Sequence, residues 1–313
     1  MGATVLDLVH REPRAEAVLM TNLPMRWISS AALFLAPVAA AGEFPPSNPL
    51  PEKSRYTLFD PTPIRLRRAY NTDRPSRTDS PYTLDAGVFQ VETDLASFFL
   101  DERNQTDADV RVRTWLAGQT NFKLGLTNRT DFQLVPPAYV KRRTITRDAA
   151  APTIQRGVGD TTVRLKINFV GNDSGPFVLA LVSSLKIPTN TSHLGNSAYE
   201  PGFGLPINYA LPVGFILFAQ TRIDILDEPG SARRRVQWSN PVGLSRTIAG
   251  KLSGYAEFYS AVSSGRDYPW IGTADVGFIY QVSPDFSIDI NSFLGLTRSA
   301  DDLNAFVGFA RRF

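Results

Sequence analysis

Charged side chains recur at two-residue spacing along much of this chain, and they are the groups with which it could do chemistry. Glu92 and Asp94 stand two apart, as do Arg111 and Arg113, Arg164 and Lys166, and Arg222 and Asp224, while Glu257, Asp275 and Asp289 each sit between apolar neighbours and Asn291 continues the row begun by Asp289. That spacing puts side chains on one face of an extended strand. The chemistry open to such rows is electrostatic. Facing acidic and basic ladders either pair with one another across a narrow interior or set up a transverse field that orients a polar solute. Other chemistries are excluded by composition: the 313 residues include no cysteine and two histidines, which rules out thiol–zinc sites, iron–sulfur clusters, disulfides and a cysteine nucleophile. No catalytic, metal-binding or cofactor-binding residue is assigned. A barrel enzyme would need a base beside a nucleophile or an acid, and downstream of residue 41 the one histidine is His193, in the polar stretch Asn190-Thr191-Ser192-His193. It reads as an exposed loop residue, so no enzymatic activity is expected. The 33 basic and 30 acidic residues give a net charge of +3 and form no long basic block, so nucleic acid is not expected as a partner.

The elements that would position these rows follow from the period of the sequence. In Val163-Arg164-Leu165-Lys166-Ile167-Asn168-Phe169 and in Phe286-Ser287-Ile288-Asp289-Ile290-Asn291, apolar and polar residues alternate strictly, which is a strand with one face of each kind. Marking such segments predicts an all-β chain of twelve strands at about 85–99, 110–126, 131–143, 159–170, 176–188, 200–211, 213–226, 233–247, 251–263, 270–282, 285–297 and 303–313. Short connections, such as Asn128-Arg129 and Ser283-Pro284, alternate with longer polar ones at about 100–109, 144–158, 189–199, 227–232, 264–269 and 298–302. An even number of antiparallel strands with alternating short and long turns describes a transmembrane barrel with tight periplasmic turns and longer external loops. Phe132, Phe169, Phe177, Phe215, Phe286 and Phe313 all flank short turns or the terminus with the parity of the apolar face, as an interfacial girdle requires. Val163, Leu165, Ile167, Leu179, Leu181, Ile288 and Ile290 would belong to an apolar belt against outer-membrane lipid.

Ahead of the barrel, Met25-Arg26, an apolar run from Trp27 to Val38, and Ala39-Ala40-Ala41 have the order of a secretory signal peptide. Residues 1–41 are therefore expected to be an upstream extension plus a signal peptide, with Met25 as the probable start. Residues 42–83 are rich in proline and read as an extended periplasmic arm, and residues 84–313 as the barrel. Asp73, Arg74, Arg77 and Asp79 lie just before the first strand, where they could fold back into a charged mouth as a plug or belong to a plain linker.

Two stretches carry a family likeness. Thr72-Asp73-Arg74-Pro75-Ser76-Arg77-Thr78-Asp79-Ser80-Pro81-Tyr82-Thr83, continuing into Leu84-Asp85-Ala86-Gly87-Val88-Phe89-Gln90-Val91-Glu92, and Gly295-Leu296-Thr297-Arg298-Ser299-Ala300-Asp301-Asp302-Leu303-Asn304 resemble the meta-pathway phenol-degradation family of outer-membrane, transporter-like barrels. The resemblance implies a channel or transporter in the bacterial outer membrane, for small solutes that include aromatic or hydrophobic compounds. The final strand, ending in Phe313, resembles the C-terminal signature read by the barrel-assembly machinery, with Arg311 departing from it. A structural or adhesive barrel with a plugged lumen is the alternative.

Overall fold

The computed structural model describes residues 52–102, 110–147, 149–228, 233–265 and 268–313. The expected signal peptide and the first part of the arm lie outside the described residues. The strands are β1 (Phe89–Asp101), β2 (Val110–Thr127), β3 (Thr130–Val135), β4 (Tyr139–Thr146), β5 (Thr153–Val158), β6 (Thr161–Val170), β7 (Phe177–Ile187), β8 (Glu200–Ala210), β9 (Phe215–Asp227), β10 (Arg234–Ser239), β11 (Val242–Ala249), β12 (Leu252–Ser263), β13 (Ile271–Ser283), β14 (Phe286–Gly295) and β15 (Leu303–Arg312). All pairings are antiparallel, and β1 pairs with both β2 and β15, which closes the sheet.

Three pairs of strands, β3 with β4, β5 with β6, and β10 with β11, are interrupted halves of single crossings, so the barrel wall is crossed twelve times. Pro136-Pro137 causes the first break and Asn240-Pro241 the third, because proline cannot donate to a ladder. The first crossing begins at Phe89 and not at residue 85, since the residues before it form a tight turn with Gly87 at φ +74°. The expected long loop at 144–158 is instead mostly wall: Thr144 pairs with Thr153 in the β4–β5 hairpin, leaving a short connection.

Both ends of the sheet lie at the short-turn end, where the amide of Phe313 donates to the carbonyl of Phe89 at 2.8 Å. Outward positions are apolar: Leu165, Val276, Ile288, Ile290 and Val307 are all exposed on the barrel's outer face. Phe132, Phe169, Phe177 and Phe313 stand exposed at the short-turn rim, and Trp115, Trp238 and Trp270 face outward nearer the long-loop end. Inward positions carry most of the buried residues, so the core of this molecule is its lumen. A barrel whose outer face is a continuous apolar surface needs lipid rather than water, and its closure satisfies the backbone as a bilayer demands.

Candidate functional site

The arm enters the lumen from the short-turn end. Residues 53–70 first line the rim: the Lys53 ammonium reaches Asp85 at 2.9 Å and also meets Asp173, Arg68 donates to Asp173 at 2.9 Å, Arg67 donates to the carbonyl of Phe313 at 3.1 Å, and the hydroxyls of Tyr70 and Ser287 lie 3.2 Å apart. Residues 71–83 then rise into the lumen and return, and Asp73, Arg74, Arg77, Thr78 and Asp79 are all buried there. Pro75 and Pro81 hold this segment out of any ladder, so its backbone donors turn to side chains of the wall.

Each charged residue of the loop finds the opposite charge on the wall. The Asp73 carboxylate accepts from Lys123 at 2.8 Å and Lys166 at 2.5 Å, while its amide donates to both Glu92 oxygens at 3.2 Å. Burial opposes charge on Asp73, but Lys123 and Lys166 outweigh it and hold the carboxyl below the usual carboxylate range. Arg74 grips Asp289 through Nε at 3.1 Å and Nη2 at 2.6 Å, and its Nη1 meets Asp94. Asp94, Gly308 and Asp289 lie side by side on β1, β15 and β14. A Cβ at Gly308 would come within 2.2 Å of the Thr93 carbonyl oxygen and 2.3 Å of Arg74 Nη2, so the missing side chain makes room for both the neighbouring strand and the guanidinium. Arg77 Nε donates to Asp275 at 2.8 Å, its amide to Glu257 at 2.9 Å, and its guanidinium lies between the rings of Tyr259 and Phe293, 4.4 and 4.2 Å from their centroids. Asp79 pairs with Arg164, and its amide donates to Gln220 at 2.7 Å.

The wall residues expected from parity are thus inward and buried at Glu92, Asp94, Arg164, Lys166, Arg222, Asp224, Glu257, Asp275 and Asp289. Arg222 and Asp224 pair with each other at 2.6 Å. Arg111 and Arg113 are corrections: they do not line the lumen. Arg111 is exposed, and Arg113 pairs with Glu102 at 2.6 Å on a half-exposed site. The reason is a parity switch. On β1 the inward residues are even-numbered to Asp94 and odd-numbered from Ser97, with a register shift between Asp94 and Ala96. On β2 the change falls at Gly118, whose φ of +73° kinks the strand, so Lys123, Asn121 and Gln119 face inward below it and Leu116, Thr114 and Val112 above it. Lys123 shares the odd parity of Arg111 and Arg113 and is inward because it lies below the switch, and Gly118 within the alternating run is the signal for that switch.

The same switch changes the chemistry of the lumen. Above the arm, Phe99, Leu116, Val140, Phe293 and Phe306 form a buried apolar wall over β1, β2, β4, β14 and β15, joined by Leu194 from the loop after β7. Phe306 sits at the centre, its ring 5.4 Å from Phe99 edge-on and 4.8 Å from Phe293. His193, next to Leu194, is exposed in that loop. The lumen therefore has a short-turn half filled with ion pairs and a long-loop half with an aromatic side.

Solved structures share the barrel. An outer membrane channel from Pseudomonas putida F1 aligns with a TM-score of 0.57 at 13% identity, covering 78% of this chain and 100% of that one. The translocator domain of the autotransporter NalP from Neisseria meningitidis aligns at 0.46 with 13% identity, over 72% of this chain and 87% of that one, and the NanC porin at 0.44 with 10% identity, over 70% and 98%. No curated protein sequence matches the chain. The closed barrel and its apolar outer face place the protein in a bacterial outer membrane. A family model matches residues 72–313, beginning at the foot of the buried loop and ending with the last strand, so the loop inside the lumen and the wall around it fall in one shared unit: the chain belongs to the family described as "Putative MetA-pathway of phenol degradation".

Proposed function

We propose that the protein is an outer-membrane channel for small solutes with an apolar or aromatic body, closed at its short-turn end by its own arm. The observation that carries this reading is the division of the lumen. A cluster of Phe99, Phe293, Phe306, Leu116 and Val140 is costly to build inside a barrel meant only for water and ions; it is buried against itself in this closed form, and on opening it gives apolar solutes a surface to leave water for. The buried loop 71–83 lies across the path below it, held by side-chain contacts and by no strand pairing. A gate of this kind can leave without dismantling the wall. The channel reading agrees with what the Pseudomonas putida relative is named for, and aromatic solutes agree with the family's description.

The test is planar-bilayer recording of the refolded chain with and without residues 42–80. Removing the arm should raise conductance while the barrel still assembles, because every pairing of β1 is with β2 and β15. A truncated barrel that folds and stays silent would favour a structural or adhesive role instead. Radiolabelled phenol entering liposomes faster than glycerol through the truncated barrel, each rate taken as the excess over protein-free liposomes, would support the aromatic preference, and equal excess rates would remove it.

A further inference from the structure

Among the described residues, Arg235 is a deeply buried cationic side chain of the lumen whose Nε–Nη2 edge meets no acceptor. It lies on β10, is 2% exposed, and shares the inward face with Gln237 and Ser239. Its Nη1 donates to Ser263 Oγ at 2.9 Å and to Gln237 Oε1 at 3.4 Å, and its guanidinium stacks 4.6 Å from the centroid of Tyr268. Those contacts hold one end of the fork and its face. The other edge, Nε together with Nη2, is buried with no hydrogen-bond acceptor among the described residues.

That edge is the one other arginines of this lumen use to hold carboxylates. Arg74 takes Asp289 with Nε and Nη2, and Arg222 takes Asp224 with Nε at 2.9 Å and Nη2 at 2.6 Å. Among the described residues, the acids on this side of the lumen have other partners: Asp224 meets Arg222, Glu200 meets Lys186 at 2.6 Å, and Glu228 accepts from the Tyr268 hydroxyl at 3.5 Å. A guanidinium withdrawn from water without an anion is expensive, and its planar fork matches a carboxylate in two parallel hydrogen bonds. The barrel order sets what lies opposite. From β1, the crossing that contains β10 is reached by passing β15, β14, β13 and β12, which puts Arg235 across the lumen from the wall centred on Phe306 and Phe99.

We propose that Arg235 is the head-group site for organic anions that carry an aromatic or apolar body, an aromatic carboxylate being the simplest case. The carboxylate sits on the Nε–Nη2 edge, with Tyr268 beneath the guanidinium, and the body points towards the apolar wall. No covalent step is involved. The proposal rests on the channel reading for its biological meaning, though the binding site is tested separately from conductance.

The experiment is calorimetric titration of the full chain, refolded in detergent, with benzoate and with benzamide as the uncharged match. Folding of each variant is checked by its mobility on an unheated gel. Benzoate should bind the native chain more tightly than benzamide, and Arg235→Gln should weaken benzoate by about tenfold or more, as expected for losing a charge-assisted pair, and leave benzamide unchanged. Arg235→Lys should fall between them, since it keeps the charge and loses the fork. Equal benzoate affinity in the native and Arg235→Gln chains, or no preference for benzoate in the native chain, would overturn the proposal. An arm-deleted barrel that conducts without preferring benzoate removes this site alone. Benzoate held through Arg235 in a barrel that never conducts keeps the site and removes the channel.

Discussion

Replacing Arg74 by methionine should open the lumen without unfolding the barrel. Arg74 is 6% exposed and stands between Asp94 and Asp289, with Gly308 beneath it. Methionine keeps most of the volume and removes the charge, leaving two carboxylates on neighbouring inward positions with no cation between them. Breaking a buried pair from one side costs about 3–5 kcal/mol, because the partner is stranded, and here two partners are stranded. Only the arm-inserted state carries that penalty in full, since withdrawal of the loop lets water reach Asp94 and Asp289. The closed-to-open ratio should therefore fall by roughly two to four orders of magnitude, at 1.36 kcal/mol per decade. Single-channel recording gives that ratio as open probability, and protease cleavage within residues 71–80 gives it independently. Arg74→Met combined with Asp94→Asn and Asp289→Asn should recover much of the closure, because removing both sides of a buried pair costs far less than removing one. A singly substituted channel as closed as the native one would refute the reasoning. So would a triple variant as open as the single one, since the effect would then come from packing and not from charge.

Three further outcomes follow from the same geometry. Leu165→Arg, at the middle of β6 on the outer face, should destabilise the barrel by about 2–4 kcal/mol in a lipid-refolding titration if the residue lies at the bilayer midplane, and a neutral result would place it away from lipid. Acid should open the arm late: Asp73 is held below the usual carboxylate range, so its contribution is complete above about pH 4 and is lost only as pH falls through the lowered value. Conductance recorded from pH 7 to 4 should stay flat for this group, and a step near pH 6 would mean that another carboxyl controls closure. Phe313→Ala should slow insertion by the barrel-assembly machinery while leaving the finished barrel stable, because the Phe313 ring is 56% exposed and touches Phe89 at a centroid distance of 5.9 Å; time-resolved appearance of the compact gel band reports the rate.

The wall was legible in the sequence because a barrel imposes one rule on every strand: outward side chains meet lipid and inward ones do not. Val163 to Phe169 obeys that rule without interruption, and β6 follows it up to the register shift that leaves Val170 exposed. The rule fails where a strand changes face, and period-two reading cannot see such a change unless a glycine marks it. Gly118 marks it, and an odd parity carried across it assigns Arg111 and Arg113 to the lumen although it holds for Lys123 below. The aromatic side of the lumen was hidden for the same reason: above the switch Phe99 and Leu116 are inward, and a parity carried on from Glu92 puts Phe99 outside. The arm was harder still. Its charges were visible, but whether Asp73 and Arg74 pair with the wall or with water depends on contacts between residues 20 to 215 positions apart in the chain, and no local pattern encodes those. One local feature does bear on it in retrospect. Gly308 interrupts the alternate apolar and polar side chains of the last strand at an inward position, and a glycine facing the lumen beside two aspartates is space kept for a cation that the strand itself does not supply. Arg74 fills it. Gly308→Ala should weaken closure as Arg74→Met does, and because the added Cβ would also meet the Thr93 carbonyl oxygen of the wall at 2.2 Å, the compact gel band of the variant is compared with that of the native barrel first.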